Sequence, residues 1–197
     1  MYDMSMTTLI GVQVKDTVLL GADSQITEDN FKTFSTGTPK IIKRGKYLIG
    51  ITGDTRPGDI LTYNWHPPHF RADVDPIQHM GTKVIPSIIS AFNEGGYNWA
   101  DTEDKKDAGF DYLIAFNGNL FHIACDMSFI KADNHIYGLG SGGQLAFGYL
   151  NGLLDSLGKK RNPTLLDGLV RKAIKFASLF DVNTGGDIQI ELQRKGE

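Results

Sequence analysis

Two apolar, β-branched runs lie almost end to end near the start of the chain, residues 8–14 and 17–22, with only Lys15 and Asp16 between them. Branched side chains crowd a helix and fit a pleated surface, and a two-residue polar spacer leaves no length for a crossover. The spacing therefore predicts an antiparallel hairpin, and whatever follows must build on that ribbon. A second pair is predicted at 40–43 and 47–52 around the Arg44-Gly45 turn.

From Asp75-Pro76 onward the period changes. Ile77, Met80, Val84, Ile85, Ile88, Ile89 and Phe92 recur at helical spacing, with Asp75 placed to cap, Pro76 in the first turn, Pro86 to kink the run and Gly95-Gly96 to end it. A charged stretch, 101–107, reads as a solvated loop. Strands at 110–116 and 120–125 then flank Asn117-Gly118, a dipeptide suited to a tight hairpin turn. Helices are predicted at 144–157 and 163–180, the latter capped by Asn162, and a last strand at 188–192. Strand blocks segregated from helix blocks imply an α+β architecture of predominantly antiparallel sheets with helices on their outer faces. With 197 residues, 41% of them hydrophobic, the chain suffices for one sizeable core.

A net charge of −3 without a dense Lys/Arg block gives no general attraction to nucleic acid or to an acidic membrane surface. No apolar run approaches the roughly 18 to 20 residues of a membrane span, and the first six residues lack the pattern of a secretion signal. The single cysteine, Cys125, has no intramolecular partner and is expected as a packed strand thiol, which fits a reducing compartment. A soluble, cytoplasmic protein is the resulting expectation.

Chemistry-bearing residues recur in a particular order: Met6-Thr7-Thr8-Leu9-Ile10-Gly11-Val12, then Gly21-Ala22-Asp23-Ser24-Gln25-Ile26-Thr27, Lys40, Thr52-Gly53, Gly140-Ser141-Gly142 and Asp181-Val182-Asn183-Thr184-Gly185-Gly186. Each piece alone has an ordinary structural reading: a strand opening, a turn residue, an edge charge, a helix end. Together and in sequence they resemble proteasome β-subunits and their bacterial HslV-type relative, threonine peptidases of the N-terminal nucleophile class. The resemblance implies a four-layer αββα sandwich, no cofactor, and assembly into stacked six- or seven-membered rings. It also implies a separate ATP-dependent unfoldase, since this chain carries no nucleotide-binding motif.

The same resemblance assigns roles. Thr7 would be the nucleophile and, once residues 1–6 are gone, its α-amine the base, an amine having an ordinary pKa of roughly 7.7 to 8.0. Lys40 would favour the neutral amine and stabilise the alkoxide, with Asp23 holding it. Gly53 N–H would serve the oxyanion, and Ser141, Asp181 and Thr184 would position the amine and its water. Ile26, Ile42 and Ile51 would approach the primary substrate pocket and favour an apolar side chain. Peptide bonds of unfolded proteins are the implied substrate.

Departures from the pattern are local. Glycine does not precede Thr7, so its amine would be exposed either by self-cleavage after Met6 or by translation starting at Met6. Thr184 stands where serine is usual, one extra residue separates Asp23 from Lys40, and the first family helix is shortened to about 55–64 before Trp65-His66-Pro67-Pro68. A chain that kept residues 1–6 would be an inactive ring or scaffold subunit; a small-amide hydrolase of the same chemistry is the other alternative.

Other candidates are weaker. His66, His69, Asp73, Asp75 and His79 could supply metal ligands, yet the two prolines favour a surface loop. Trp65, Phe70, Tyr97 and Trp99 could form a recognition surface but suit core packing better. Gly140–Gly143 lacks the Lys-Ser/Thr ending of a phosphate loop.

Overall fold

The computed structural model describes residues 7–28, 31–34, 39–99, 110–133, 135–158 and 162–197. The proposed leader, 1–6, and the 101–107 segment lie outside the described residues. The predicted opening hairpin forms from β1 (Leu9–Val14) and β2 (Thr17–Asp23), registered Leu9 to Ala22 through Val14 to Thr17. A short hairpin follows, β3 (Gln25–Glu28) with β4 (Phe31–Phe34), and then the predicted pair β5 (Ile41–Arg44) and β6 (Tyr47–Thr52).

Helix α1 (Thr55–Tyr63) ends before Trp65, as expected from the prolines. The long predicted helix is present as α2 (Pro76–His79), a π-helical turn at Met80–Val84, and α3 (Ile85–Glu94). Asp75 caps it, accepting from Ile77 N and Gln78 N at 2.9 Å each. Pro86 has no N–H and its ring crowds the carbonyl four residues back; the widened turn just before it accommodates both.

Strands β7 (Asp111–Phe116) and β8 (Asn119–Ile123) turn at Asn117 and Gly118, with φ of 47° and 70°, the left-handed pair that such a tight hairpin demands. Cys125 corrects the sequence reading: it is exposed rather than a packed strand thiol. Strand β8 stops at Ile123, and the chain turns through Ala124–Ser128 (Ala124 N to Ser128 O, 2.9 Å), carrying the thiol off the sheet before β9 (Phe129–Ile130). Strand β10 (Ile136–Leu139), helices α4 (Gly143–Leu157) and α5 (Pro163–Ala177), and β11 (Ile188–Arg194) complete the order. Asn162 caps α5 through Thr164 N at 3.1 Å.

One sheet is ordered β10-β1-β2-β11 and the other β5-β6-β7-β8-β9, every neighbouring pair antiparallel. Outward residues of the first sheet, such as Ile10, Val12 and Leu19, pack under α4 and α5. Ile49, Tyr112 and Ile114 of the second pack under α1 and α3, together with fully buried Trp65. Between the sheets lie Leu9, Leu20, Leu48, Leu113 and Leu120. The result is the α+β architecture predicted from the element order, in the αββα layering that the resemblance implies. Phe70, Tyr97 and Trp99 pack against the core beneath α1 and α3.

Polar rivets cross the sandwich. Gln189 of β11 bonds both backbone groups of Ile41, accepting from its N at 3.1 Å and donating to its O at 2.6 Å. Gln13 and Gln193 accept from Leu120 N and Gly118 N. Each amide satisfies a strand or turn backbone group that would otherwise lack a partner inside the sandwich.

His79 is buried, its ring edge-on to Phe70, with Nε2 2.8 Å from the Tyr47 hydroxyl. Tyr47 gives its own proton to Pro68 O, so His79 Nε2–H is the donor between them. Burial, reinforced by the charges of Lys83 and His69, lowers the His79 pKa from its usual 6.5. The unfolded chain then binds this proton first, so stability should decline as pH falls below about 6.5, by at most about 1.4 kcal/mol per pH unit. Thermal unfolding between pH 7.5 and 5 should show a shallower decline in His79→Gln; parallel curves would refute the assignment.

Candidate active site

The site forms where β1 begins, because two short loops and the ends of β2 and β5 converge there. Asp23, the last residue of β2, is 1% exposed and accepts four hydrogen bonds. Its Oδ1 takes Thr8 N at 2.9 Å and Lys40 Nζ at 2.8 Å; its Oδ2 takes Gly185 N at 3.0 Å and Gln25 N at 3.2 Å. A buried carboxylate is tolerated only when its lone pairs are filled in this manner.

Lys40 precedes β5 and reaches from the second sheet to the end of the first. Its ammonium also donates to Gln25 O at 2.6 Å. Burial lowers its pKa; the Asp23 charge and hydrogen bond, and the charge of Asp181, act in the opposite direction. The ion pair with Asp23 thus keeps a cation in a desolvated position next to the backbone of Thr8.

A second cluster faces the first. Asp181, which follows α5, accepts at Oδ2 from Ser141 Oγ at 2.8 Å and from Thr184 Oγ1 at 2.5 Å. Ser141 comes from the turn between β10 and α4, where Gly142 N lies 3.4 Å from Thr7 O. Thr7 itself is 6% exposed at the start of β1. Gly53 follows β6 with φ of 86°, a left-handed conformation that glycine adopts without strain and that side chains resist. Ile51 N donates to Lys40 O, so Gly53 sits two residues beyond the backbone bond that anchors Lys40.

Of the ten residues expected at a site, Asp23, Lys40, Ser141, Asp181 and Thr184 lie in two hydrogen-bonded clusters, with Thr7 bonded to the Ser141 turn. The three isoleucines are less alike. Ile26 on β3 and Ile51 on β6 are partly exposed, and Ile51 faces Gly58 of α1. Ile42 is only 6% exposed and belongs to the core under the helices, so it can act only as a floor.

Three contributors escape the sequence reading. Thr8 Oγ1 lies 2.6 Å from Thr184 Oγ1. Gln25 is 4% exposed, and its Nε2 ties β3 to Val182 O at 2.9 Å. Gly185 donates to Asp23 and accepts from Ser24 N and Gln25 N. Thr8 reads locally as an ordinary strand threonine, and Gln25 carried no signal beyond standing in the Asp23-Ser24-Gln25 run.

Among the described residues no group of three or more His, Cys, Asp and Glu is placed to hold a metal ion. No helix among them is long and apolar enough to cross a membrane.

Two antiparallel sheets between two layers of helices define the class as an α+β sandwich of αββα order, with a buried threonine just ahead of the first strand. The HslV-type resemblance seen in the sequence holds at the level of fold. Thiobacillus denitrificans BPH superposes with a TM-score of 0.72 at 20% identity, over 95% of this chain and 97% of that one. Eukaryotic HslV from Trypanosoma brucei gives 0.65 at 20% identity, over 95% and 99%. The Thiobacillus denitrificans BPH complex with epoxomicin gives 0.68 at 19% identity, over 96% and 100%. No family model and no curated protein matches the sequence.

Proposed function

We propose that the chain is a threonine-type endopeptidase whose nucleophile is the Thr7 hydroxyl and whose base is the Thr7 α-amine, once residues 1–6 no longer precede it. The observation that carries this reading is the convergence of the Asp23–Lys40 ion pair and the Ser141–Asp181–Thr184 cluster on Thr8, with the Ser141 turn bonded to the carbonyl of Thr7. A hydroxyl needs an adjacent base to attack a carbonyl, and an α-amine on the same residue meets that need.

In this mechanism the amine takes the Thr7 Oγ proton as Oγ attacks the peptide carbonyl. Lys40, desolvated and held by Asp23, disfavours a second positive charge on the amine and stabilises the developing alkoxide. Gly53 N–H receives the oxyanion. The leaving amine takes the proton, an ester forms on Thr7, and water activated by the same α-amine releases the acid. Ser141, Asp181 and Thr184 orient the amine. Ile26 and Ile51, with Ile42 beneath, favour an apolar side chain before the cut bond. Assembly into a ring that admits unfolded chains delivered by a separate ATP-driven unfoldase completes the reading.

The test is intact mass of protein beginning at Thr7, before and after epoxomicin. One inhibitor mass added and mapped to residue 7, with cleavage of fluorogenic peptides, is expected. A properly folded, Thr7-initiated protein with no adduct and no turnover would favour the inactive ring subunit.

A further inference from the structure

Thr8 is the residue at which the two clusters meet. Its backbone N is bound by Asp23 Oδ1 at 2.9 Å, in the half of the site that holds Lys40. Its side chain lies 2.6 Å from Thr184 Oγ1, in the half that holds Asp181 and Ser141. It has no exposed surface.

Proton counting fixes the direction of that contact. A threonine hydroxyl has one hydrogen. Thr184 gives its hydrogen to Asp181 Oδ2 at 2.5 Å, since an ionised carboxylate only accepts. The hydrogen between Thr8 and Thr184 must therefore come from Thr8. Asp181 Oδ2 receives a second donor from Ser141, and Oδ1 accepts from Asn183 N at 3.2 Å. The chain Thr8 to Thr184 to Asp181 thus runs one way, ending on a carboxylate oxygen that already holds two hydroxyl hydrogens.

Space for this relay depends on Gly142. A Cβ there would overlap Thr8 Oγ1 outright and lie 2.5 Å from Thr184 Oγ1 and 2.9 Å from Asp181 Oδ2. Gly142 has an ordinary φ of −86°, so its backbone would accept a side chain and only these three oxygens forbid one.

We propose that Thr8 is a positioning residue for the reaction of Thr7: its hydroxyl fixes the proton direction of the Thr184–Asp181 relay and clamps the strand start, and Gly142 is required there for room. This rests on the threonine-peptidase reading above. Thr7 and Thr8 share a rigid peptide link, so a Thr8 held at both its backbone and its side chain fixes the Thr7 α-carbon, from which the amine and hydroxyl project. Displacement of reacting groups by about 1 Å can cost a hundredfold in rate. With the Thr8 donor gone, Thr184 Oγ1 loses that hydrogen bond and can accept instead from the amine that the proposed mechanism places beside this cluster, which favours the amine's charged form.

The experiment compares Thr8→Val, Thr8→Ser and Gly142→Ala in protein beginning at Thr7. Peptide kinetics are measured alongside titration of the Thr7 α-amine by NMR with 13C-labelled threonine. Thr8→Val, which keeps shape and loses the donor, should lower kcat roughly 10- to 100-fold with KM within about threefold. It should also move the amine titration to higher pH. Thr8→Ser should restore both. Gly142→Ala should lower kcat similarly with every hydroxyl retained, which guards against a Thr8→Val protein that does not fold.

Wild-type kcat and titration in a folded Thr8→Val, or equal damage from serine and valine, would overturn the proposal. The titration is read whether or not peptide is cleaved. An amine that responds to Thr8→Val in a protein without turnover would sink the peptidase reading and leave the relay standing. An active enzyme indifferent to Thr8→Val would do the reverse.

Discussion

Thr7→Ala in protein beginning at residue 7 is expected to lower peptide hydrolysis by about 10⁴-fold or more and to abolish labelling by epoxomicin. Alanine keeps the α-amine, the Asp23–Lys40 pair and the Asp181 cluster, and removes the oxygen that would attack together with the γ-methyl beside it. The remaining acceleration could come only from binding and from Gly53 N–H. Thr7→Ser returns the oxygen on a freer rotor and should recover activity to within about 100-fold of the parent. Thr7 lies ahead of β1 and belongs to none of the three hydrophobic clusters, so thermal unfolding should change by no more than a few degrees. Kinetics with a fluorogenic peptide decide the matter; an alanine variant as active as the parent would dismiss Thr7 as nucleophile.

Asp23→Asn should damage fold and activity together. The carboxylate fills its lone pairs with Thr8 N, Lys40 Nζ, Gln25 N and Gly185 N. An amide offers one oxygen, and its NH₂ group would point hydrogens at two of those donors. Breaking one side of a buried ion pair generally costs about 3 to 5 kcal/mol, because the surviving charge stays desolvated. For a chain of this length that corresponds to a midpoint lower by roughly 10 °C. Lys40→Met added to Asp23→Asn should restore part of the loss, since the stranded ammonium goes with it. Activity should not return in the double variant. Thermal melts of the four proteins measure the coupling, and strict additivity would contradict the ion-pair account.

What the sequence made legible was whatever writes itself locally. The β1–β2 hairpin declares itself through branched residues on both sides of a two-residue spacer, the β7–β8 turn through Asn117-Gly118, and α5 through Asn162-Pro163. Strand β3, Gln-Ile-Thr-Glu, has too little apolar alternation to stand out. Strand β10 is interrupted by Gly138, whose bare α-carbon lets α4 pack onto it at Gly143. Cys125 was misplaced because an apolar run continued past the point at which the backbone turned. Within the site, the chemistry-bearing residues were visible as ordered motifs. The Thr8–Thr184 contact was not, since its partners are 176 positions apart and neither belongs to a periodic pattern. Gly142 likewise looked like one glycine among several; its reason lies in three oxygens brought from distant segments.

The glutamine rivets have a mechanical consequence. Asp23 closes a strand of one sheet and Lys40 opens a strand of the other, so their bond is a gauge of how the two sheets are aligned. Gln189 grips Ile41 one residue from that gauge, and Ile188 pairs with Asp23 itself. A slip of one sheet over the other by the length of a single bond would part the ion pair while leaving every strand ladder intact. Under the proposed mechanism, activity would therefore disappear on loosening of the sandwich, before circular dichroism registered any loss of strand or helix.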